Sequence, residues 1–393
     1  MKRKGHIFEQ IVCPDNLRLA FWKAQKGKSC KKDIIEFRKN LDANLLLLRK
    51  QLLDGTHRCG NYHFFTIYDP KQRVICAADF SERVLHHAIM NICSIDFENR
   101  QMPFSYACRN GKGTFAAIKH AACYQKNFNW YLKLDIRKYF DTIDHNILFS
   151  QLELMYKDKQ FLNLLWQIID SYHAQDGKGV PIGNLTSQYF ANHYLSFGDK
   201  YLVEKLRLLK CIRYMDDILL WSNNREELIE KGLLFEHFLN NTLLLELKPF
   251  IHNKSQHGMP ALGFMIYPTQ IMLNKRSKNR FASKLERNEN LRITDKISEF
   301  MYSQSVLSLY GFISYANHKG FARSVIKKLQ KGNSVESASR VLRGGSWNNN
   351  ATNVRVSNRN NNTPSNRNNN NGLRLACSSK QQTDFEQTLI SFP

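Results

Sequence analysis

Three carboxylates stand where they could hold metal: Asp135 in "WYLKLDIRKYF", and the adjacent Asp216 and Asp217 in "RYMDD". Hard oxygen ligands of this kind suit magnesium and similar divalent cations. Two such cations, about 3.5–4 Å apart, stabilise the attacking and leaving oxygens of an in-line displacement. Phosphoryl transfer from a nucleoside triphosphate needs such a clamp. Paired aspartates are also common in turns, so the pair alone decides nothing. The requirement is a fold that carries Asp135 to it.

The flanking patterns predict such a fold. In "WYLKLDIRKYF", Leu132, Leu134 and Ile136 alternate with Lys133 and Asp135, the pattern of a half-buried strand presenting a carboxylate. A turn and a helix follow in "DTIDHNILFSQLELM". In "LLKCIRYMDDILLWS" two apolar runs flank a polar centre, which predicts a tight hairpin with Met215, Asp216 and Asp217 at its tip. Carboxylates from neighbouring strands would then form the clamp.

Upstream, "NLDANLLLLRKQLLDG" spaces Leu41, Leu45, Leu48 and Leu52 as a helix ending at Gly55, a natural left-handed cap. "DFSERVLHHAIMNICSI" reads as a second helix, with Ser81 as a candidate N-cap and Val84, Leu85, Ala88, Ile89 and Ile92 inward. His86 and His87 have no His or Cys three or four residues away, so packing or a nucleic-acid-facing role is favoured over metal binding. From Lys275 to about Lys331 the chain is basic and helical in pattern.

The 393 residues are 42% apolar and 12% aromatic, enough for a large multi-lobed core. Lys and Arg outnumber Asp and Glu by 57 to 34, a formal charge of +23, and the last 58 residues contribute only seven basic and three acidic side chains. The positive charge therefore belongs to the folded body, which points to a polyanion such as nucleic acid, with a membrane surface as the competitor. No stretch has the length of a membrane span and "MKRKGHIFEQIVC" lacks a signal-peptide core, so a cytoplasmic setting is expected. The nine cysteines show no zinc spacing and are expected to be reduced and mostly buried.

Taken together, the motifs resemble those of reverse transcriptases. "LDIRKYFDTIDH", "PIGNLTSQYFANHYL", "RYMDD" and "ALGFMIYP" resemble motifs A, B and C and the primer grip, in the family's order. "KQRVICAADFSERVLHHA" and "FSYACRNGKGTFAA" resemble fingers motifs of bacterial enzymes related to group II introns and retrons. Where most relatives read Q-G-x-x-x-S-P, "IGNLTSQ" resembles the form in reverse transcriptases of diversity-generating retroelements.

The resemblance implies an α+β right-hand polymerase: an N-terminal extension at 1–39, fingers at 40–128, a palm with finger insertions at 129–270 and a helical thumb at 271–334. A disordered Asn-rich tail at 335–393 would complete the chain. It also implies two Mg2+ ions, with Mn2+ as an alternative, on Asp135, Asp216 and the Ile136 carbonyl, and a less essential Asp217 nearer the primer. Nucleotide would be bound by Arg73, Ile136, Phe140, Ile182, Gly183 and Gln188, and nucleic acid by Arg109, Lys112 and Gly263. Phe140 falls where the family places a gate against the ribose 2′-hydroxyl; the alternative is a core aromatic. Arg73 matches the arginine covering the triphosphate. Gly183 would let the backbone approach the base pair. Lys248 matches loosely a general acid for pyrophosphate, with a surface lysine as the equal alternative. The implied partners are template RNA, cDNA, deoxynucleoside triphosphates and a small basic accessory protein, in a bacterial or phage-infected cell.

Alternative readings are a retron or group II intron reverse transcriptase, and an RNA-binding protein with a vestigial polymerase; the intact Asp135, Asp216 and Asp217 argue against the latter. The tail raises its own question. Thirteen of the 24 residues from Asn348 to Asn371 are asparagine, "SNRNNN" occurs twice, and "RVLRGGSW" and "GLRLA" resemble the end of lectin-like variable proteins. Such a run builds no core, and it is expected to be a translated template repeat. A flexible polar tail or a fused target domain are the other readings.

Overall fold

The computed structural model describes residues 2–68 and 72–332, and the backbone of 340–343 and 359–362. It divides into two compact units, Met1–Gln256 and His257–Pro393.

In the first unit, helices α1 (Phe8–Ile11), α2 (Pro14–Ala24), α3 (Lys32–Lys39) and α4 (Leu41–Leu53) precede a hairpin of β1 (Tyr62–Ile67) and β2 (Arg73–Ala78). Ile11, Leu17 and Phe21 are fully buried in the same core as the rest of the unit, so 1–39 is a structural layer rather than an appendage. Helix α4 ends where expected, with Gly55 at φ +67°. Helix α5 (Phe80–Glu98) begins one residue before Ser81, with Asp79 at the N-cap position. The Asp79 carboxylate is held by Asn61 and by His63, 2.9 Å away, and makes no cap bond. Ser81 is therefore not the cap. Val84, Leu85, Ala88 and Ile89 are fully buried, and Ile92 is half-buried.

After α6 (Thr114–Asn127) comes β3 (Trp130–Asp135), then α7 (Tyr139–Thr142), α8 (His145–Glu153), α9 (Lys159–Asp170) and α10 (Leu185–Glu204). Next are β4 (Cys211–Tyr214), β5 (Asp217–Ser222), α11 (Arg225–Thr242) and β6 (Ile251–Lys254). The strands form one antiparallel sheet in the order β4-β5-β3-β6. β3 alternates as expected: Leu132 and Leu134 are buried, and Lys133 and Asp135 are half-exposed. Helix α8 opens at Asp144, whose carboxylate accepts from the Asn146 and Ile147 N–H groups.

The second unit holds the meander β7 (Met259–Ala261), β8 (Phe264–Ile266) and β9 (Ile271–Leu273), with α12 (Lys275–Ile293), α13 (Glu299–Ile313) and α14 (Lys319–Gly332). The meander, placed by sequence before the expected palm limit at 270, groups with these helices in the second unit. The Phe264 and Phe312 rings lie 4.9 Å apart, and the Asn317 N–H donates to the Ile271 carbonyl at 2.7 Å. Of the tail, β10 (Arg340–Arg343) and β11 (Arg359–Asn362) pair antiparallel; the rest of the tail expectation lies outside the described residues.

Of the eight described cysteines, all free, Cys76, Cys93 and Cys211 are buried, whereas Cys30, Cys108 and Cys123 are exposed. The expectation of mostly buried thiols fails because these three lie on loops or outer helix faces. Among the described residues no helix is long and apolar enough to cross a membrane.

Candidate active site

Tyr214 pairs with Asp217 across β4 and β5, leaving Met215 and Asp216 as a two-residue turn, as the sequence predicts. Met215 has φ +56°, the left-handed backbone that tight hairpin turns of the primed types require. Asp217 stands opposite Asp135 in the β3–β5 register. The Asp135 carbonyl accepts from the Lys248 N–H at 2.8 Å on the other side of β3. Asp135 and Asp217 are therefore a non-hydrogen-bonded pair, the kind whose side chains lie closest on one face.

Lysines flank this face. Lys133 Nζ lies 3.2 Å from Asp217 Oδ1, and Lys248 Nζ lies 2.8 Å from Asp135 Oδ1. The Arg137 N–H donates to the Glu246 carbonyl at 2.8 Å, so Ile136 faces Leu247 without a direct bond. Its own carbonyl turns away from that strand, to the side where β5 runs. Burial raises the pKa of Asp216, and the charges of Asp217 and Asp135 add to the rise; the Arg73 guanidinium opposes it. Arg73 itself is exposed at the start of β2. Three carboxylates around one hairpin, one of them raised by burial and by its neighbours' charges, with the Ile136 carbonyl beside them, fit divalent cations.

The segment expected to contact nucleotide is tied to this site through the backbone. The Phe140 carbonyl accepts from the Val180 N–H at 2.8 Å, and its half-buried ring packs at the edge of the core. The Ile182 carbonyl accepts from the Cys76 N–H of β2 at 2.8 Å. Gly183 follows at φ +127°, where a Cβ would lie 2.8 Å from the Cys76 carbonyl oxygen and 2.9 Å from Ile75 Cγ2. The protein backbone that Gly183 approaches is strand β2. On α10, Gln188 Oε1 accepts from Cys108 Sγ at 3.2 Å.

Other expected contacts are committed inside the protein. Arg109 gives Nε and Nη2 to Glu98 at 2.8 and 2.6 Å, and Nη1 to the carbonyls of Met102 and Ser105 at 2.6 and 2.9 Å. It clamps the loop after α5. Lys112 donates to the Pro103 carbonyl and lies 4.8 Å from the centre of the Tyr106 ring; burial lowers its pKa. Gly263 belongs to the second unit. With Leu262 it forms the β7–β8 turn, at φ +93°, and a Cβ there would meet Ser277 Oγ at 2.8 Å and Phe312 Cζ at 3.0 Å.

One positioning residue was not singled out from sequence. Arg213, fully buried two residues before Met215, sends Nε to both Asp199 oxygens at 2.8 and 2.9 Å and Nη2 to Asp199 Oδ2 at 2.7 Å. Its Nη1 reaches Asn192 Oδ1 at 3.0 Å and the Met215 carbonyl at 3.3 Å. The turn carrying Asp216 is thus anchored to α10. An arginine inside a strand otherwise rich in buried apolar residues was the available signal.

Comparison with known proteins agrees with this geometry. The family described as reverse transcriptase (RNA-dependent DNA polymerase) matches residues 68–266, just over half of the chain. A sulfatase-modifying factor enzyme 1-like domain matches residues 277–379. The COX1/OXI3 intron 2 protein of Saccharomyces cerevisiae is 30% identical over 132 residues, 32% of this chain and 15% of that protein. The group II intron-encoded protein LtrA of Lactococcus lactis subsp. cremoris is 24% identical over 140 residues, 34% of this chain and 23% of LtrA. The chain thus spans less than a quarter of either relative. The apo telomerase structure from Candida tropicalis superposes with a TM-score of 0.43 at 12% identity, covering 71% of this chain and 60% of that one, too slight a likeness to argue from. The α+β class expected of a right-hand polymerase is borne out, with Asp135 and the "YMDD" hairpin joined in one palm sheet. By the family match over residues 68–266 and the carboxylate site inside it, the chain belongs to the reverse transcriptase family.

Proposed function

We propose that this protein is an RNA-directed DNA polymerase that makes adenine-mutagenic cDNA for a diversity-generating retroelement. The observation that carries the polymerase reading is the pairing of Asp135 with Asp217 beside the Asp216 turn. Asp135, Asp216 and the Ile136 carbonyl would hold two Mg2+ ions, or Mn2+, which when bound stabilise charge at the transferring phosphoryl group. Arg73, exposed and close enough for its charge to lower the Asp216 pKa, would meet the triphosphate. Phe140 would bound the sugar side.

The mutagenic reading rests on Ile182. An apolar side chain there offers no polar contact to the incoming nucleotide, and discrimination depends on groups that go unpaired with the wrong partner. Every asparagine codon begins with two adenines, so a template evolved for adenine mutagenesis translates as asparagine-rich text. The segment from Asn348 to Asn371 is such text, and the sulfatase-modifying-factor-like match runs through it. Residues 335–393 are then informative as RNA and idle as protein. A structured template RNA and a small basic accessory protein are the proposed partners.

The second reading, an intron-encoded reverse transcriptase, is favoured by the likeness to LtrA and the yeast intron protein. Flanking DNA separates the two. The retroelement reading requires a nearby gene whose end matches the tail except mainly at adenines; intron boundaries without such a copy would replace it. It also requires that truncation after Ser334 leave polymerisation intact, and that Ile182→Gln lower the error rate opposite template adenine. An unchanged error spectrum would put the looseness elsewhere.

A further inference from the structure

A second cluster of possible ligands lies away from the three carboxylates. His145 opens α8, Asp170 closes α9, and His173 lies in the loop that follows. One ligand atom from each lies within 4.8 Å of the others. His173 Nε2 is 3.3 Å from Asp170 Oδ1, His145 Nδ1 is 4.0 Å from the same oxygen, and the two imidazole rings are 4.9 Å apart.

His145 is 1% exposed, and its Nε2 lies 2.7 Å from the Gly179 carbonyl. A carbonyl can only accept, so Nε2 carries the proton and Nδ1 presents its lone pair. That Nδ1 is buried and has no hydrogen-bond partner, although it points toward Asp170 and His173. A buried acceptor left unmatched costs about 1–3 kcal/mol. An imidazole whose tautomer is fixed by a backbone carbonyl, with its other nitrogen free, is the arrangement of a histidine metal ligand. Burial lowers the His145 pKa and keeps the ring in this neutral, ligating form.

We infer that His145, Asp170 and His173 form a second metal site, which takes a borderline divalent cation such as zinc with water as its fourth ligand. Two imidazoles and one carboxylate suit zinc, whereas the all-oxygen cluster at Asp135 suits magnesium. Coordination gives up one contact, the 3.3 Å Gly177 N–H to His173 Nδ1 bond, because His173 must carry its proton on Nδ1 to ligate through Nε2.

The site would act as a staple. The Gly177 carbonyl already accepts from the His145 N–H at 2.9 Å, and the Gly179 N–H donates to the Ile143 carbonyl at 2.8 Å. Metal would join α8, the end of α9 and this loop at one point. Val180, the next residue, holds the Phe140 carbonyl, so the staple lies one bond from the nucleotide-contacting segment proposed above.

The test uses the full chain, stripped of metal and titrated with zinc in excess magnesium, which occupies the oxygen site. Wild-type protein and Asp216→Asn should bind one zinc per chain. The His173→Ala and Asp170→Asn variants change side chains that are 39% and 50% exposed, and should bind at least about tenfold more weakly. Without zinc, both variants should match the wild-type circular dichroism and melting curve. Zinc should slow amide exchange across 174–179 in wild type and not in His173→Ala. Failure of wild type to bind zinc in magnesium, or equal zinc affinity in His173→Ala, would overturn the site. These readouts involve no nucleotide incorporation, so they stand or fall apart from the polymerase assignment.

Discussion

Lys248 grips Asp135 twice: its N–H donates to the Asp135 carbonyl at 2.8 Å and its ammonium lies 2.8 Å from Asp135 Oδ1. The backbone bond sets the strand register that turns the Asp135 side chain toward Asp217. The ammonium occupies one of the oxygens a cation would use. Partly exposed ion pairs of this kind contribute about 0.2–1 kcal/mol. Lys248→Met is therefore expected to tighten magnesium binding about two- to five-fold, measured without turnover by displacement of Mn2+ in electron paramagnetic resonance. Unchanged affinity would mean that lysine and cation do not compete for Asp135. A fall in kcat in the same variant would separately support Lys248 as the acid that protonates pyrophosphate.

The Arg213–Asp199 pair predicts a large stability loss whichever side chain is removed. Both are fully buried and share three hydrogen bonds. Removing one partner strands a charge in a low-dielectric interior, at a cost of about 3–5 kcal/mol. Urea unfolding of Arg213→Ala and of Asp199→Ala should each show a loss of that order. A loss below about 1 kcal/mol, typical of an exposed pair, would show that solvent reaches the site.

Magnesium binding should weaken on the acid side earlier than for an exposed aspartate. Burial, reinforced by Asp217 and Asp135, raises Asp216 above its ordinary value of 3.8. Between that value and the raised one, the folded state binds more protons than the unfolded state, so stability falls as pH rises through this window. Cation affinity moves the opposite way, rising as Asp216 ionises. Asp217→Asn removes a neighbouring negative charge and should shift the midpoint of pH-dependent magnesium binding downward. Titrations of both proteins across this range check the direction. A midpoint that stays put or rises would contradict the electrostatic origin of the shift.

The legible parts of this protein were those written in local pattern. Alternation marked β3, apolar runs around "YMDD" marked the hairpin, and Leu spacing with Gly55 marked α4 and its end. What escaped was set by distant partners. Nothing near Arg109 in the chain reveals that Glu98 and two carbonyls use its donors. Nothing near Arg213 reveals that Asp199, on a helix, neutralises it. The sequence pattern around Gly183 does not reveal its close approach to β2, because the pairing of Ile182 with Cys76 spans more than a hundred residues. The N-cap position falls at Asp79, two residues before Ser81, the usual scale of error at helix ends.

The central claim is that Asp135 and Asp216 hold the cations of a polymerase. Its most direct test is incorporation of a single deoxynucleotide onto a primer annealed to RNA, with RNA binding measured in parallel for wild type, Asp135→Ala and Asp216→Ala. Both substitutions should abolish incorporation in magnesium and leave RNA affinity nearly unchanged, since the basic surface is untouched and that affinity should still fall steeply with added salt. Incorporation by either variant near the wild-type rate would contradict the account.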